Sequence, residues 1–332
     1  TAIYGARGAN GVIIITTKRG KEGKGTLDYS TFVGVATLAN KIDMLSADQY
    51  MEGQRQLQQV RNSDADPLND LSDADIAGRN LGANTDWQDE VFTTAISHSH
   101  NLSYSGGSAS TSYRASLSYL DQQGIAEGSS MERVTGRINT TTKAINDRLT
   151  LSTNLTVSRI FDENIPFEET GGFEGDIFTS ALRLNPTQPV FNPDGTYFQL
   201  DNSNRNPVAM RDLTTDNTRT SRVLGNLSAE YEIIEGLNYK INLGADNSSS
   251  TRRVSQDRRL IYRQGEGGRA DINSVEVASL LIENYITYRT DINEISKIDF
   301  LAWHSYQTFL NQGSTVSRQV FSTDEIIYVY NL

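Results

Sequence analysis

Apolar and polar side chains alternate one by one over long stretches of this chain. From Leu237 as far as Ala245 every second residue is apolar, and the residues between them are Asn, Lys or Gly. Largely the same alternation runs through residues 112–119, 149–157 and 222–233. Successive side chains of a β-strand point to opposite faces, so a period of two predicts strands with one apolar and one polar face. We therefore expect an all-β, antiparallel chain.

The connections between the predicted strands differ systematically in length. Tight turns near 107–110, 145–147, 234–236 and 292–294 alternate with long links at 38–96, 121–131, 161–220, 251–273 and 310–325. Outer-membrane β-barrels combine short periplasmic turns with long external loops, whereas a soluble sandwich has no reason to alternate them. The pattern predicts a portion of a transmembrane barrel. Its strands are expected at roughly 25–37, 97–106, 111–120, 132–144, 148–160, 221–233, 237–250, 274–291 and 295–309.

Tyrosines flank two of the tight turns. Tyr104 and Tyr113 lie on either side of the first turn, and Tyr231 and Tyr239 on either side of the third. Such positions suit an interfacial aromatic girdle, although cross-strand aromatic pairing in any sheet would also explain them.

The long links contain helix and turn signals. Ser46 and Gln49 have the spacing of a capping box and predict a helix from Ser46 to Val60. A second short helix is expected from Glu174 to Leu184, followed by a turn at Asn192-Pro193-Asp194-Gly195.

Composition excludes several classes of protein. The longest uninterrupted apolar run, Ile326 to Tyr330, is far below the roughly twenty residues of a transmembrane helix. The net charge of −11 argues against a nucleic-acid partner. Cysteine is absent, which excludes disulfides and thiolate metal sites. The chain begins at Thr1 without a signal peptide, so we expect it to be a slice of a longer protein.

A glycine-punctuated turn, Tyr4-Gly5-Ala6-Arg7-Gly8-Ala9-Asn10-Gly11, leads directly into the β-branched run Val12 to Thr17 and a basic exit, Lys18-Arg19-Gly20. Its spacing matches neither the phosphate-binding P-loop nor the dinucleotide fingerprint, and a strand follows where those motifs require a helix. Nucleotide binding is therefore not expected.

This string resembles the end of the plug domain in SusC/RagA-type TonB-dependent outer-membrane transporters. Asn185 to Val190, Asp194 to Tyr197, Asn206 to Ala209 and Arg222 to Leu227 are similar to other parts of that family. The resemblance implies that residues 1–22 end the plug and that residues 23–332 form the first nine or ten strands of a barrel of about twenty-two. Such a piece cannot close, so we expect an open sheet with two exposed edges.

The resemblance also implies a function. Members of the family import large nutrients across the outer membrane of Gram-negative cells, typically oligosaccharides and in some cases peptides. A SusD-like surface lipoprotein covers the mouth, and TonB pulls on the N-terminal region of the plug. No cofactor is implied, and outer-membrane lipid is expected around the barrel.

Two groups of residues are candidates for function. The resemblance makes Arg7, beside the turn residue Asn10, a candidate contact between plug and barrel wall. Several charged residues on polar strand faces would line the bore, where they either contact a hydrophilic substrate or only keep the surface wet. These residues are Arg114, Arg137, Glu230, Lys240 and Asp246.

Metal binding and catalysis have little support. His98 and His100 face the same way on one strand, but no third ligand follows at metal spacing. Asp73 to Gly78 resembles a calcium loop faintly, lacks the required Glu, and is interpreted as a solvated acidic loop. No nucleophile–base pair is apparent. The alternatives to energy-coupled import are a passive porin, a glycan-binding adhesin and, with least support, an enzyme.

Overall fold

A computed structural model describes residues 18, 20–63, 70–166, 176–291 and 297–321. Within these ranges the chain forms one sheet in which every strand pairs antiparallel with its sequence neighbours. All the predicted strands are present, so the expected open antiparallel sheet is confirmed. The strands are β1 (Gly23–Ala36), β2 (Ala95–Gly107), β3 (Thr111–Gln123), β4 (Ser130–Ala144), β5 (Leu149–Asn164), β6 (Thr214–Ile234), β7 (Leu237–Gln256), β8 (Arg269–Asp291) and β9 (Lys297–Gln319).

The register places the alternating apolar residues of neighbouring strands side by side. Leu227 lies opposite Leu243, which in turn lies opposite Ile282. One side of the sheet, here called the apolar face, therefore carries a continuous band of aliphatic and aromatic side chains. The other side, the polar face, carries mainly Ser, Thr, Asn and charged residues. On β9 the polar face also carries Leu301, Trp303 and Phe309.

The apolar face is open to its surroundings. Leu27, Val33 and Leu280 are 65%, 64% and 60% exposed. A water-soluble protein rarely exposes so large a contiguous apolar surface. The outward face of a membrane barrel has this composition, with aromatic residues near the turns. Tyr231 pairs with Tyr239 beside the β6–β7 turn, in the position predicted for the girdle.

The connections follow the predicted order of lengths with two corrections. Residues 108–110, 145–148 and 235–236 form tight turns, and residues 37–94, 165–213 and 257–268 form long links. The link expected at 121–131 is much shorter, spanning only 124–129. Gln122 pairs with Met131 and Gln123 with Ser130, so backbone pairing continues beyond the point where the apolar alternation ends. The link expected at 310–325 does not begin before residue 320, because β9 continues to Gln319. The turn predicted near 292–294 lies outside the described residues.

Glycine is required at the β6–β7 turn. Gly236 has φ +80°, and a Cβ atom there would lie 2.2 Å from the carbonyl oxygen of Arg289. Any other residue would strain the backbone and clash with β8.

The helices lie in the long links. They are α1 (Ala47–Arg61), α2 (Asp73–Ala77), α3 (Ile177–Arg183) and α4 (Pro207–Asp212). The capping box of α1 is formed by Ser46 and Gln49, as predicted. Helix α3 is shorter than expected, because Asp176 caps it by accepting a hydrogen bond from the backbone N–H of Phe178. Across the described ranges, no helix is both long and apolar enough to cross a bilayer.

The buried hydrophobic core lies in these links and not between sheet layers. Trp87 and Val91 from the β1–β2 link pack with Ala181, Leu184 and Val208 from the β5–β6 link. The two longest links are thereby held together as one structured cap at the end of the sheet opposite the tight turns.

We predict that residues 1–332 alone aggregate in detergent-free buffer. The apolar face and the unpaired edges of β1 and β9 offer surfaces for association. Light scattering during dilution from detergent would show large particles, with the same sample kept in detergent as the control. A soluble, monodisperse monomer would contradict the prediction.

Candidate functional site

The polar face holds all the charged residues that were predicted to line the bore on β3 to β7. The guanidinium of Arg114 donates a hydrogen bond to the Ser103 hydroxyl at 2.7 Å, and Arg137 donates to Thr156 at 3.2 Å. Both arginine side chains thus lie along the polar face, held by hydroxyl groups of the neighbouring strands.

The remaining predicted residues form ion pairs. Asp246 accepts a bidentate pair of hydrogen bonds from Arg222, at 2.9 and 2.6 Å, and Lys240 lies 3.5 Å from Glu230. Arg222 was not among the predicted site residues. It is identified only once the register places it diagonally across from Asp246. These pairs make the wall polar without a large net charge.

Three further residues form a hydrogen-bonded row across β6, β7 and β8. Asn226 donates to Asn242 at 2.7 Å, and Asn242 donates to Glu283 at 2.8 Å. Amide and carboxylate groups present donors and acceptors in one plane, which suits ligands rich in hydroxyl or peptide groups. The sequence signal for this row is only that all three lie on polar strand positions.

The segment that precedes β1 lies against the polar face. The side-chain amide of Asn139 is buried and donates to the Lys18 carbonyl at 3.3 Å. Gly20 approaches Tyr113 so closely that a Cβ would lie 2.2 Å from its carbonyl oxygen. The chain therefore enters the sheet from the polar side, at the end with the tight turns. Arg7 and Asn10 lie outside the described residues.

The cap contains a cleft of about 840 Å³ between residues 41–50, 78–88 and 181–188. Hydrogen bonds between the two links hold the base of the cleft together. Trp87, only 4% exposed, donates its indole N–H to the Asn185 carbonyl at 3.2 Å. Thr187 donates its hydroxyl to the Arg79 carbonyl at 2.8 Å. Contacts over such long sequence separations fix the cleft between two links.

Polar side chains hold one wall of the cleft. The amide of Gln88 bonds both backbone groups of Ile42, at 3.0 and 2.7 Å. Burial raises the pKa of Asp86, but the backbone N–H groups of Asp89 and Gln88 and the Lys41 ammonium outweigh it and hold the pKa below its usual range. Asp86 is therefore ionised at neutral pH and anchors the segment around Lys41.

Apolar side chains form the rim of the cleft. Ile42 and Leu200 are each 57% exposed, and Leu45 is 55% exposed. Exposed apolar groups clustered at the mouth of a cleft indicate a surface that contacts a ligand or another protein.

The acidic segment interpreted as a solvated loop is instead helix α2. Ser72 and Asp75 form a capping box, in which the Asp75 carboxylate accepts from the Ser72 backbone N–H at 2.8 Å. His98 and His100 face the same way, as predicted, with ring centroids 5.3 Å apart on the apolar face. No cluster of three or more His, Cys, Asp or Glu side chains suited to a metal occurs in the parts of the chain that the structure describes.

Comparison with known proteins identifies relatives over nearly the whole chain. No protein-family model matches it. The chain is 32% identical over 332 residues to TonB-dependent receptor P3 of Formosa agariphila and 31% identical over 277 residues to TonB-dependent receptor SusC of Bacteroides thetaiotaomicron. These alignments cover 99% and 76% of the chain but only 31% and 26% of the relatives. The chain thus spans about a third or less of the relatives that it matches.

Solved structures support the same fold. The RagAB peptide transporter superposes with a TM-score of 0.78 at 22% identity, covering 99% of this chain and 40% of that one. The RagAB peptide importer in its closed-closed state gives 0.79 at 23% identity, covering 39% of that chain. At these identities the likeness concerns the fold.

We predict that Trp87→Ala in the full-length protein loosens the cap and leaves the sheet intact. Removal of a buried Trp typically costs about 3–5 kcal/mol. Hydrogen exchange should accelerate in residues 83–93 and 181–188 and remain unchanged in β3 to β7. Leu200→Ala, at the exposed rim, is the matched control. Unchanged exchange in the cap would show that Trp87 does not hold it.

The cap should also loosen in acid. A carboxylate whose pKa is lowered by folding stabilises the fold above its unfolded pKa of about 4, and this contribution is lost as the pH falls through the folded value. We expect protection of amides 86–92, corrected for intrinsic exchange, to fall below about pH 4. Asp86→Asn should flatten this pH dependence. An unaltered pH profile in that variant would show that a group other than Asp86 causes the loss of protection.

Proposed function

Because the chain belongs to the SusC/RagA-type TonB-dependent receptors, we propose that it forms part of an importer that moves a large hydrophilic nutrient across the outer membrane of a Gram-negative bacterium. The activity belongs to the longer protein, of which residues 23–332 supply the first part of the barrel wall and the cap.

The observation that carries this proposal is the contrast between the two faces of one sheet. The apolar face exposes aliphatic side chains along every strand, while the polar face of β3 to β7 carries hydroxyls, amides and ion pairs such as Arg222–Asp246. Ion pairs and amides would be costly against lipid but are well solvated in a watery bore. This supports a barrel with lipid outside and a hydrophilic path inside.

Energy coupling is the second part of the proposal. Residues 1–22 end a plug inside the bore, Arg7 and Asn10 contact the wall, and TonB acts on the region that precedes them. The contact between Asn139 and Lys18 supports this arrangement, because it holds Lys18, ahead of β1, against the polar face. A passive porin has no plug domain before its first strand, so it would not need this contact.

The substrate is proposed to be an oligosaccharide. Arg114, Arg137, Glu230, Lys240 and Asp246 line its path, together with the row of Asn226, Asn242 and Glu283, whose planar groups match pairs of sugar hydroxyls. A peptide is the second candidate, because the superposed RagAB structures are of a peptide transporter.

A SusD-like surface lipoprotein is the proposed partner at the mouth. The exposed rim of Ile42, Leu45 and Leu200 is apolar and lies on the cap, where a lid would close over the cleft. Burial of these side chains by a partner would remove an apolar surface that water solvates poorly.

Uptake in cells that express the full-length protein together with a SusD-like lipoprotein tests the proposal. Labelled oligosaccharides and peptides should be supplied separately, with and without a protonophore. We expect uptake of oligosaccharide that stops when the proton gradient collapses. Uptake that persists would indicate a passive porin, and surface binding without uptake an adhesin.

Two variants on opposite faces of β7 sharpen this test. Asn242→Ala removes the centre of the polar row, and the loss of one or two hydrogen bonds should lower uptake by about threefold to tenfold. Asn247→Ala, on the apolar face of the same strand, is the matched control and should leave uptake unchanged. Equal uptake by both variants would remove the row from the substrate path.

A further inference from the structure

Three arginines form an oblique row on the apolar face. Arg159 on β5 is diagonal to Arg219 on β6, because Arg159 lies opposite Ser221. Arg219 lies opposite Thr251 and is diagonal to Arg253 on β7. Diagonal neighbours in an antiparallel sheet have Cα atoms about 7–8 Å apart, so the three guanidinium groups can reach one common ligand surface.

The row starts next to the apolar band at Arg159 and rises from there towards the cap, through Arg219 to Arg253. Arg159 lies two residues after Val157 on β5, and Arg219 lies four residues before Val223 on β6. All four side chains are on the apolar face. The paired Tyr231 and Tyr239 mark the opposite, tight-turn end of these strands. If the band spans the hydrocarbon, the row stands at the level of the outer-leaflet headgroups.

Among the residues that the structure describes, no carboxylate neutralises the charges of the row. On the polar face the cations of β6 and β7 each have a carboxylate partner: Arg222 pairs with Asp246, Lys240 with Glu230 and Arg252 with Asp216. Within the described ranges, none of the three arginines of the row forms an ion pair. Arg219 instead lies 5.5 Å above the ring of Phe161.

Carboxylates on the same face are occupied by neutral donors. Glu163 accepts from the Ser130 hydroxyl at 3.0 Å, and Glu276 accepts from Asn247 at 3.3 Å and from Gln312 at 2.8 Å. Glu132, which lies opposite Phe161, is the remaining acid near the row. The guanidinium groups are therefore available to an external anion.

We propose that this row binds the phosphate group of an outer-leaflet glycolipid whose acyl chains lie along the apolar band below it. The inference rests on the proposed outer-membrane location. Guanidinium groups bind phosphate oxygens in a planar, bidentate geometry, and basic residues next to a bilayer attract anionic headgroups. A lipid fits better than free phosphate, because the row is continuous with the lipid-facing band.

Native mass spectrometry of the full-length protein with lipid A provides the test. The triple variant Arg159→Gln, Arg219→Gln, Arg253→Gln should bind lipid A at least about tenfold more weakly than the wild type. A triple variant with the same charge change away from the apolar face, Arg55→Gln, Arg61→Gln, Arg133→Gln, should bind like the wild type.

The phosphate itself is tested with dephosphorylated lipid A, which the wild type should bind as weakly as the triple variant binds lipid A. Equal binding of both lipids by the wild type, or of lipid A by all three proteins, would overturn the inference. Inorganic phosphate at millimolar concentration should not displace lipid A, and full displacement would assign the row to free phosphate. Failure of the protein to fractionate with outer membranes would instead refute the proposed function.

Discussion

The backbone hydrogen bonds between neighbouring strands are the constraint on which this structure depends. Inside a bilayer no water is available to satisfy an N–H or C=O group, so each strand requires a partner on both sides. Sequence neighbours supply these partners from β1 to β9, and among the described residues only the outer edges of β1 and β9 lack one. The helices and the hydrophobic core can then be confined to the links, because the sheet does not need a second layer to hold it together.

The same pairing gives the sheet its two different surfaces. Since the side-chain period is two, one register decides at once which residues meet lipid and which meet water. The ion pairs of the polar face and the aliphatic band of the apolar face are therefore consequences of a single alignment. Arg222 has a carboxylate partner, Asp246, on the polar face, whereas Arg219 and Arg253 lie on the apolar face of the same two strands and form no ion pair within the described ranges. A slip of one residue would exchange their surroundings.

Much of the sheet and the helices α1 and α3 of the cap were predictable from the sequence, while the packing of the cap was not. Alternation identified every strand, but it fades beyond the apolar band, where residues such as Thr214 to Thr220 are polar on both faces. The strands were therefore predicted too short at the end near the cap, and β6 begins at Thr214 and not at residue 221. Helix α2 was missed although Ser72 and Asp75 carry a recognisable capping signal. The cleft depends on contacts such as Trp87 with Asn185, and no local pattern reports a contact between segments so far apart. Arg222 became recognisable as the partner of Asp246 only when the register was known.

Strand length has a consequence for how the molecule meets the cell exterior. On β8 the continuous run of aliphatic residues on the apolar face begins at Ala278, after the polar residues Ser274 and Glu276, whereas the strand itself starts at Arg269. At about 3.3 Å per residue and the usual tilt, this excess raises the top of the strand about 20 Å above the hydrocarbon. The wall thus continues as a stiff collar through the headgroup layer. In the proposed importer, the nutrient would be captured on this collar, well above the level at which lateral pressure from the membrane acts.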